Sequence, residues 1–128
     1  MRYLLDTHTF IWFIQDKPEL SRQAKALIEN PDHVCLLSLV SVWEIAIKVS
    51  MGKLSLQEPL GDFLREQLAL NFIELLPISF EHLLKVRELP LHHRDPFDRL
   101  LIAQSLLENL PLIGRDPVFD RYAIARLW

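Results

Sequence analysis

Hydrophobic positions along the chain fall into two patterns. Short, nearly continuous apolar runs stand at Arg2–Leu5, Val34–Leu37, Phe72–Ile78 and Leu110–Gly114, with a shorter one at Ile124–Leu127. Runs of this length, bounded by Asn, Asp, Pro or Gly, predict buried strands. Between them apolar residues recur at helical spacing. Phe10, Ile11 and Ile14 mark a helix over Thr7–Ile14, and Ala24, Leu27 and Ile28 mark another from Ser21 to about Asn30. Leu60, Phe63, Leu64 and Leu68 mark a third from Pro59 to about Asn71, and Leu83, Leu84 and Val86 a fourth over Ser79–Glu88. Ser41, with Glu44 three residues on, fits a capping box and predicts a helix through Trp43–Val49 that stops near Gly52.

The last helix has the clearest start. Asp95 stands at the cap, Pro96 at the first helical position and Asp98 at the third. Leu100–Ala103 is apolar throughout, which a surface helix would not be, and Asn109 ends the segment. Strands separated by helices predict an α/β fold, with a mainly parallel sheet of four or five strands and helices on both faces. At 128 residues without an internal repeat, the expectation is a single domain over 1–128.

Composition narrows the functional classes. The net charge of −3 argues against a protein that holds nucleic acid by a basic surface alone. It leaves open an enzyme that meets phosphates through metal ions. The longest stretch free of charge and histidine is the ten residues Val34–Trp43, far short of a membrane span. Asp6 interrupts the amino terminus before a signal-peptide core could form. The single cysteine, Cys35, lies in an apolar run and reads as a small buried hydrophobe. These features favour the cytoplasm and no membrane. From His92 onward the chain carries five arginines and no lysine. Arg94, Arg99 and Arg115 are candidate grips on a phosphate backbone, against the default of salt bridges or solvated surface.

Four acids fall at the carboxyl ends of strands or just inside the following helix: Asp6, Glu44, Asp98 and Asp116. Each has an ordinary structural reading. Asp6 could be a turn or cap residue, Glu44 half of a capping box, Asp98 a first-turn acid favoured by the helix dipole, and Asp116 an Asp-Pro turn. A parallel sheet would bring all four to one edge, where too few arginines stand nearby to pair each acid. Crowded carboxylates resist ionising together, and Mg²⁺ or Mn²⁺ would relieve the conflict. His92 and His93 are adjacent and lack zinc spacing with any cysteine, so they read as a surface loop, with substrate contact as the alternative. Trp12 and Trp43 read as core.

YLLDTHTFIW (3–12), SLVSVWEIAIKVSMGKL (38–54), PLHHRDPFDRLLIAQS (90–105) and LPLIGRDPVFDRYAIARLW (110–128) together resemble the PIN-domain ribonucleases, in particular the VapC-like toxins of prokaryotic toxin–antitoxin pairs. The resemblance runs over nearly the whole chain. It implies a three-layer α/β/α fold, divalent-metal-dependent RNA cleavage, homodimerisation and inhibition by a cognate antitoxin. It assigns the metal to Asp6, Glu44 and Asp98, with Asp116 as a fourth, more variable acid. One position departs: the family often has Thr or Ser two residues before the last acid, where this chain has Gly114. Asp95 also belongs to the motif, but the cap accounts for it.

The chemistry expected is phosphodiester hydrolysis by metal-activated water, with no Ser or Cys nucleophile. Two other readings compete. A receiver-type signalling domain would need a phosphoacceptor Asp after the third strand and a Lys after the fifth, and no lysine follows Lys85. A non-catalytic PIN-like scaffold or RNA-binding protein would be expected to have lost one or more acids, and all four are present.

Overall fold

Each apolar run becomes a strand of one wholly parallel sheet, ordered β3-β2-β1-β4-β5. The computed structural model describes residues 1–128. In chain order the elements are β1 (Arg2–Leu5), α1 (Thr7–Ile14), α2 (Arg22–Glu29), β2 (Val34–Ser38), α3 (Leu39–Ser50), α4 (Leu60–Leu70), β3 (Glu74–Leu76), α5 (Phe80–Glu88), α6 (Pro96–Glu108), β4 (Leu112–Ile113) and β5 (Arg126–Leu127). A 3-10 turn over Pro117–Arg121 links the last two strands. This is the expected three-layer α/β/α architecture with five strands.

The strands are apolar on both faces because both faces are covered. Leu4, Leu36 and Leu112 project into one core, filled by Leu100, Leu101, Ile102 and Ala103 of α6. Their neighbours Tyr3, Leu5, Cys35, Leu37 and Ile113 project into the other, with Phe10, Ile28, Ile45 and Leu64. Leu4 pairs with Leu36 and Leu112, and Leu5 with Leu37 and Ile113, so the alternation is in register across β1, β2 and β4. Cys35 is buried, as expected.

β1, β2 and β3 step outward in one direction, whereas β4 and β5 lie on the other side of β1. The order therefore reverses between β1 and β4. In open parallel sheets this crevice, outside the carboxyl ends of the strands, is where ligands bind. Asp6 follows β1 and Asp116 follows β4, so both acids stand at its mouth.

Two boundaries differ from the sequence reading. α3 opens at Leu39 rather than near Trp43, because the Ser38 hydroxyl accepts the Val40 amide at 3.0 Å and caps the helix three residues early. Ser41 is instead a buried helical residue that accepts a hydrogen bond from the Thr7 hydroxyl at 2.8 Å. Glu44 therefore lies in the second turn, and the proposed capping box does not form. β3 is also shorter than the apolar run, since Phe72 is exposed and left-handed at φ 53°. The start of α6 follows the reading closely. Asp95 Oδ1 accepts the amides of Phe97 at 2.8 Å and Asp98 at 3.3 Å. Asp95→Ala is expected to lower stability by about 1 kcal/mol, the usual worth of such a cap, measured by urea unfolding.

Candidate functional site

Asp6 occupies the cap position of α1, yet its carboxylate makes no capping hydrogen bond there. Its backbone instead ties two strands, the Asp6 amide donating to the Ile113 carbonyl at 3.0 Å. The residue is buried, and no cation pairs with it. Burial pushes its carboxyl up to about 7, with the Glu44 charge adding to the shift and Asp116 and Asp95 contributing further; the Thr7 amide only partly offsets this. Asp98, on the first turn of α6, is pushed up to about 8, first by burial and then by the charges of Asp6, Asp95, Glu44 and Asp116. Asp98 thus feels Asp6, and both feel Glu44, Asp95 and Asp116.

Glu44 reaches the cluster from α3. Its nearest cation is Lys48, one turn on, at 3.9 Å, too long for a charge-assisted hydrogen bond. Asp116 does two things at once. Its Oδ1 accepts the Val118 amide at 3.0 Å and caps the 3-10 turn, as an ordinary Asp-Pro turn would. Its Oδ2 faces His93 Nε2 at 3.6 Å. Asp95 spends one oxygen on its own cap but adds negative potential to Asp6 and Asp98.

Gly114 has a steric reason. A Cβ at this position would lie 3.2 Å from Asp6 Cβ and 3.7 Å from the Phe119 ring. The absence of a side chain lets β4 approach the acid closely, and Thr or Ser would press on Asp6. A cleft of about 430 Å³ opens beside this contact, lined by Asp6, His8, Trp12, Arg115, Asp116 and Pro117. The Arg115 guanidinium lies over the Trp12 ring, 4.9 Å from its centroid.

Four readings of single residues are corrected. Arg99 is not a phosphate grip. It is buried, and its guanidinium donates to the carbonyls of Pro90 at 2.9 Å, Val86 at 3.0 Å and Leu89 at 3.3 Å. It fastens the end of α5 and the following loop to α6. Arg99→Met, which keeps the stem and strands three carbonyls, is expected to lower stability by about 3 kcal/mol while leaving metal affinity intact; chemical unfolding and calorimetry check the two halves. Trp43 is not core: it is 54% exposed and packs edge-on against Phe97, with ring centroids 4.8 Å apart. Trp12 is half-buried at the cleft wall rather than enclosed. His93 is not a surface residue. Its side chain is 8% exposed, tilted against Phe119 and stacked on Tyr122. His92 alone keeps the exposed-loop role.

Of the other arginines, Arg94 is exposed and Arg115 stands at the cleft. Arg126 forms a bidentate pair with Asp120, both contacts at 2.9 Å, which is the ordinary salt-bridge reading. The donors gathered at the switch point therefore fit a divalent cation: a buried and a half-buried carboxylate, Asp6 and Asp98, lack arginine or lysine partners, and the charges of nearby acids add to the burial that disfavours their ionisation.

A parallel α/β/α sheet carrying an acidic cluster at its reversal point defines a class of small α/β domains. The PIN domain profile matches residues 3–125, and the chain belongs to that family. No curated protein matches the sequence. Among solved structures the fold is similar to VapBC2 from Rickettsia felis bound to a promoter DNA fragment, at 18% identity and TM-score 0.75, covering 99% of this chain and 98% of that one. It is also similar to FitAcB from Neisseria gonorrhoeae (20% identity, TM-score 0.66, coverage 100% and 97%). VapBC-5 from Mycobacterium tuberculosis is a third similar structure (21% identity, TM-score 0.60, coverage 98% and 95%).

Proposed function

We propose that this chain is a divalent-metal-dependent endoribonuclease acting in the cytoplasm as the toxin of a toxin–antitoxin pair. The observation that carries the reading is the pair Asp6, buried, and Asp98, partly buried, neither paired with a lysine or arginine and each raised toward neutrality first by burial and then by neighbouring acids. Structural carboxylates are normally paired or hydrogen-bonded; these two are arranged for a positive charge supplied from outside the chain. Asp6, Glu44, Asp98 and Asp116 would hold Mg²⁺ or Mn²⁺, and such an ion supplies an ionised water and neutralises developing charge on a phosphate.

The chain's own residues then have definable work. With a cation compensating their charge, Asp6 and Asp98 would be held ionised as its carboxylate ligands. The cleft beside Asp6 accepts an RNA strand, with Arg115 placed for a phosphate and Trp12 for a sugar or base face. Arg94, exposed on the loop before α6, is free to make a backbone contact. Hydrolysis through such a site needs no covalent intermediate on the protein.

The biological half of the proposal draws on the similar structure of VapBC-5, described as a member of the VapBC family of toxin–antitoxin systems. By that likeness the chain would be silenced by an antitoxin, and the family resemblance adds pairing with a second copy. Expression alone, followed by RNA profiling, should arrest growth and give discrete cuts, and co-expression of the neighbouring small reading frame should relieve both. Absence of toxicity and of cleavage across Mg²⁺ and Mn²⁺ would refute the reading.

A further inference from the structure

His93 stands outside the acid set on which the proposed function rests, yet its geometry is unusual. The side chain is more than nine-tenths buried, and its Nε2 is the one buried side-chain nitrogen or oxygen in the chain without a hydrogen-bond partner. That nitrogen points at two carboxylates, 3.8 Å from Asp98 Oδ2 and 3.6 Å from Asp116 Oδ2. A protonated imidazole in contact with carboxylates closes to about 2.7–2.9 Å. The observed separations are too long for that. They are near the spacing of donors around one ion: bonds of about 2.1 Å place ligand atoms about 3.0 Å apart when adjacent and about 4.2 Å when opposite in octahedral geometry, so a small closure of the side chains would seat a cation.

The other side of the ring is already engaged. The Tyr122 hydroxyl accepts the His93 backbone amide at 3.0 Å and lies 3.3 Å from Nδ1, while Phe119 and Tyr122 fix the ring plane. With Nδ1 donating to that hydroxyl, Nε2 presents a lone pair toward two carboxylates. Such an arrangement is repulsive unless a cation lies between them. An outer hydrogen bond that fixes the tautomer and orientation of a ligating histidine is a common feature of metal sites.

We propose that His93 Nε2 is a direct ligand of the divalent ion, forming a one-nitrogen, two-oxygen set with Asp98 and Asp116. This rests on the acidic-site reading above and adds a consequence to it. Imidazole suits transition metals, whereas Mg²⁺ prefers oxygen and keeps its waters. The site is thereby biased toward Mn²⁺ over Mg²⁺.

The test is pulsed electron paramagnetic resonance on the full chain loaded with substoichiometric MnCl₂. Nitrogen modulation from a directly bound ¹⁴N imidazole is expected in the wild type. It should be lost in His93→Phe, which keeps the ring stack, while Mn²⁺ still binds through the acids with affinity reduced at least about tenfold. Mg²⁺ competition should show the Mn²⁺ preference falling in the same variant. If His93→Phe does not fold, His8→Ala decides, since His8 is the histidine lining the cleft beside Asp6 and Asp116. Modulation kept in that variant supports His93, and modulation lost overturns the proposal. Bound Mn²⁺ without nitrogen modulation in the wild type, or modulation that persists in His93→Phe, also overturns it while leaving the acidic site standing. No Mn²⁺ binding at all would sink both.

Discussion

Asp98→Asn is expected to abolish metal-dependent RNA cleavage and, in the metal-free protein, to raise stability. The two effects have one cause. Burial first, and then the charges of Asp6, Asp95, Glu44 and Asp116, push the Asp98 carboxyl up to about 8 against an ordinary 3.8. Each unit of such a shift corresponds to about 1.4 kcal/mol of unfavourable ionisation. Its side chain is 23% exposed, so solvent screens part of this. We expect a net gain of about 2 kcal/mol near pH 8, or roughly 6–10 °C in Tm for a chain of this size. Activity should fall about a thousandfold or more, because removing an ion-holding charge forfeits several kcal/mol of transition-state stabilisation. A residue kept for architecture would behave oppositely, losing stability when replaced. The sign of the change in Tm, read beside cleavage of total RNA in Mn²⁺, separates the two roles.

The second large effect is on the pH dependence of stability without metal. Asp6 and Asp98 titrate near 7 and 8 in the folded chain but near 3.8 when unfolded. Between about pH 4 and pH 8 the folded state therefore holds protons that the unfolded state has released. Stability must fall with rising pH across that window, by up to about 1.4 kcal/mol per pH unit for each group, and level off above it. Saturating Mn²⁺ should reverse the trend. At a hundred times its dissociation constant, a bound ion adds about 2.7 kcal/mol, and chelation with EDTA should remove it. Thermal scans from pH 5 to 8.5, with and without metal, check this. A metal-free Tm that climbs steadily over the window contradicts the assignment.

What could be read from the chain before its fold follows from which signals are local. Asp6, Asp98 and Asp116 stood out because each ends an apolar run or opens a helix, and the parallel sheet does bring those ends to one edge. Glu44 stands out as an acid just inside the helix after the second strand, and the capping box that was its ordinary reading does not form. Ser38 caps α3 at the very end of β2, where strand and helix start are both apolar and periodicity cannot separate them. Arg99 misled because a cation on a first turn usually faces solvent. α6 is buried along most of its length, and only the fold shows three carbonyls of α5 and the adjoining loop waiting for a donor. His93 was invisible for a similar reason. Its meaning comes from Tyr122, 29 residues away, and no spacing rule links a loop histidine to a tyrosine beyond the next strand. Gly114 looked like a lost hydroxyl until the 3.2 Å approach to Asp6 gave it a positive reason.

Isothermal calorimetry of MnCl₂ binding at pH 7, repeated in buffers of different ionisation enthalpy, tests most directly whether the acids await a cation. An ion that occupies the cluster must displace the protons shared by Asp6 and Asp98, so binding should release about one proton per site. Saturable binding with that release, lost in Asp98→Asn, is the expected result. Binding without proton release, or no binding while the protein is folded, would mean that these carboxylates meet for some other reason.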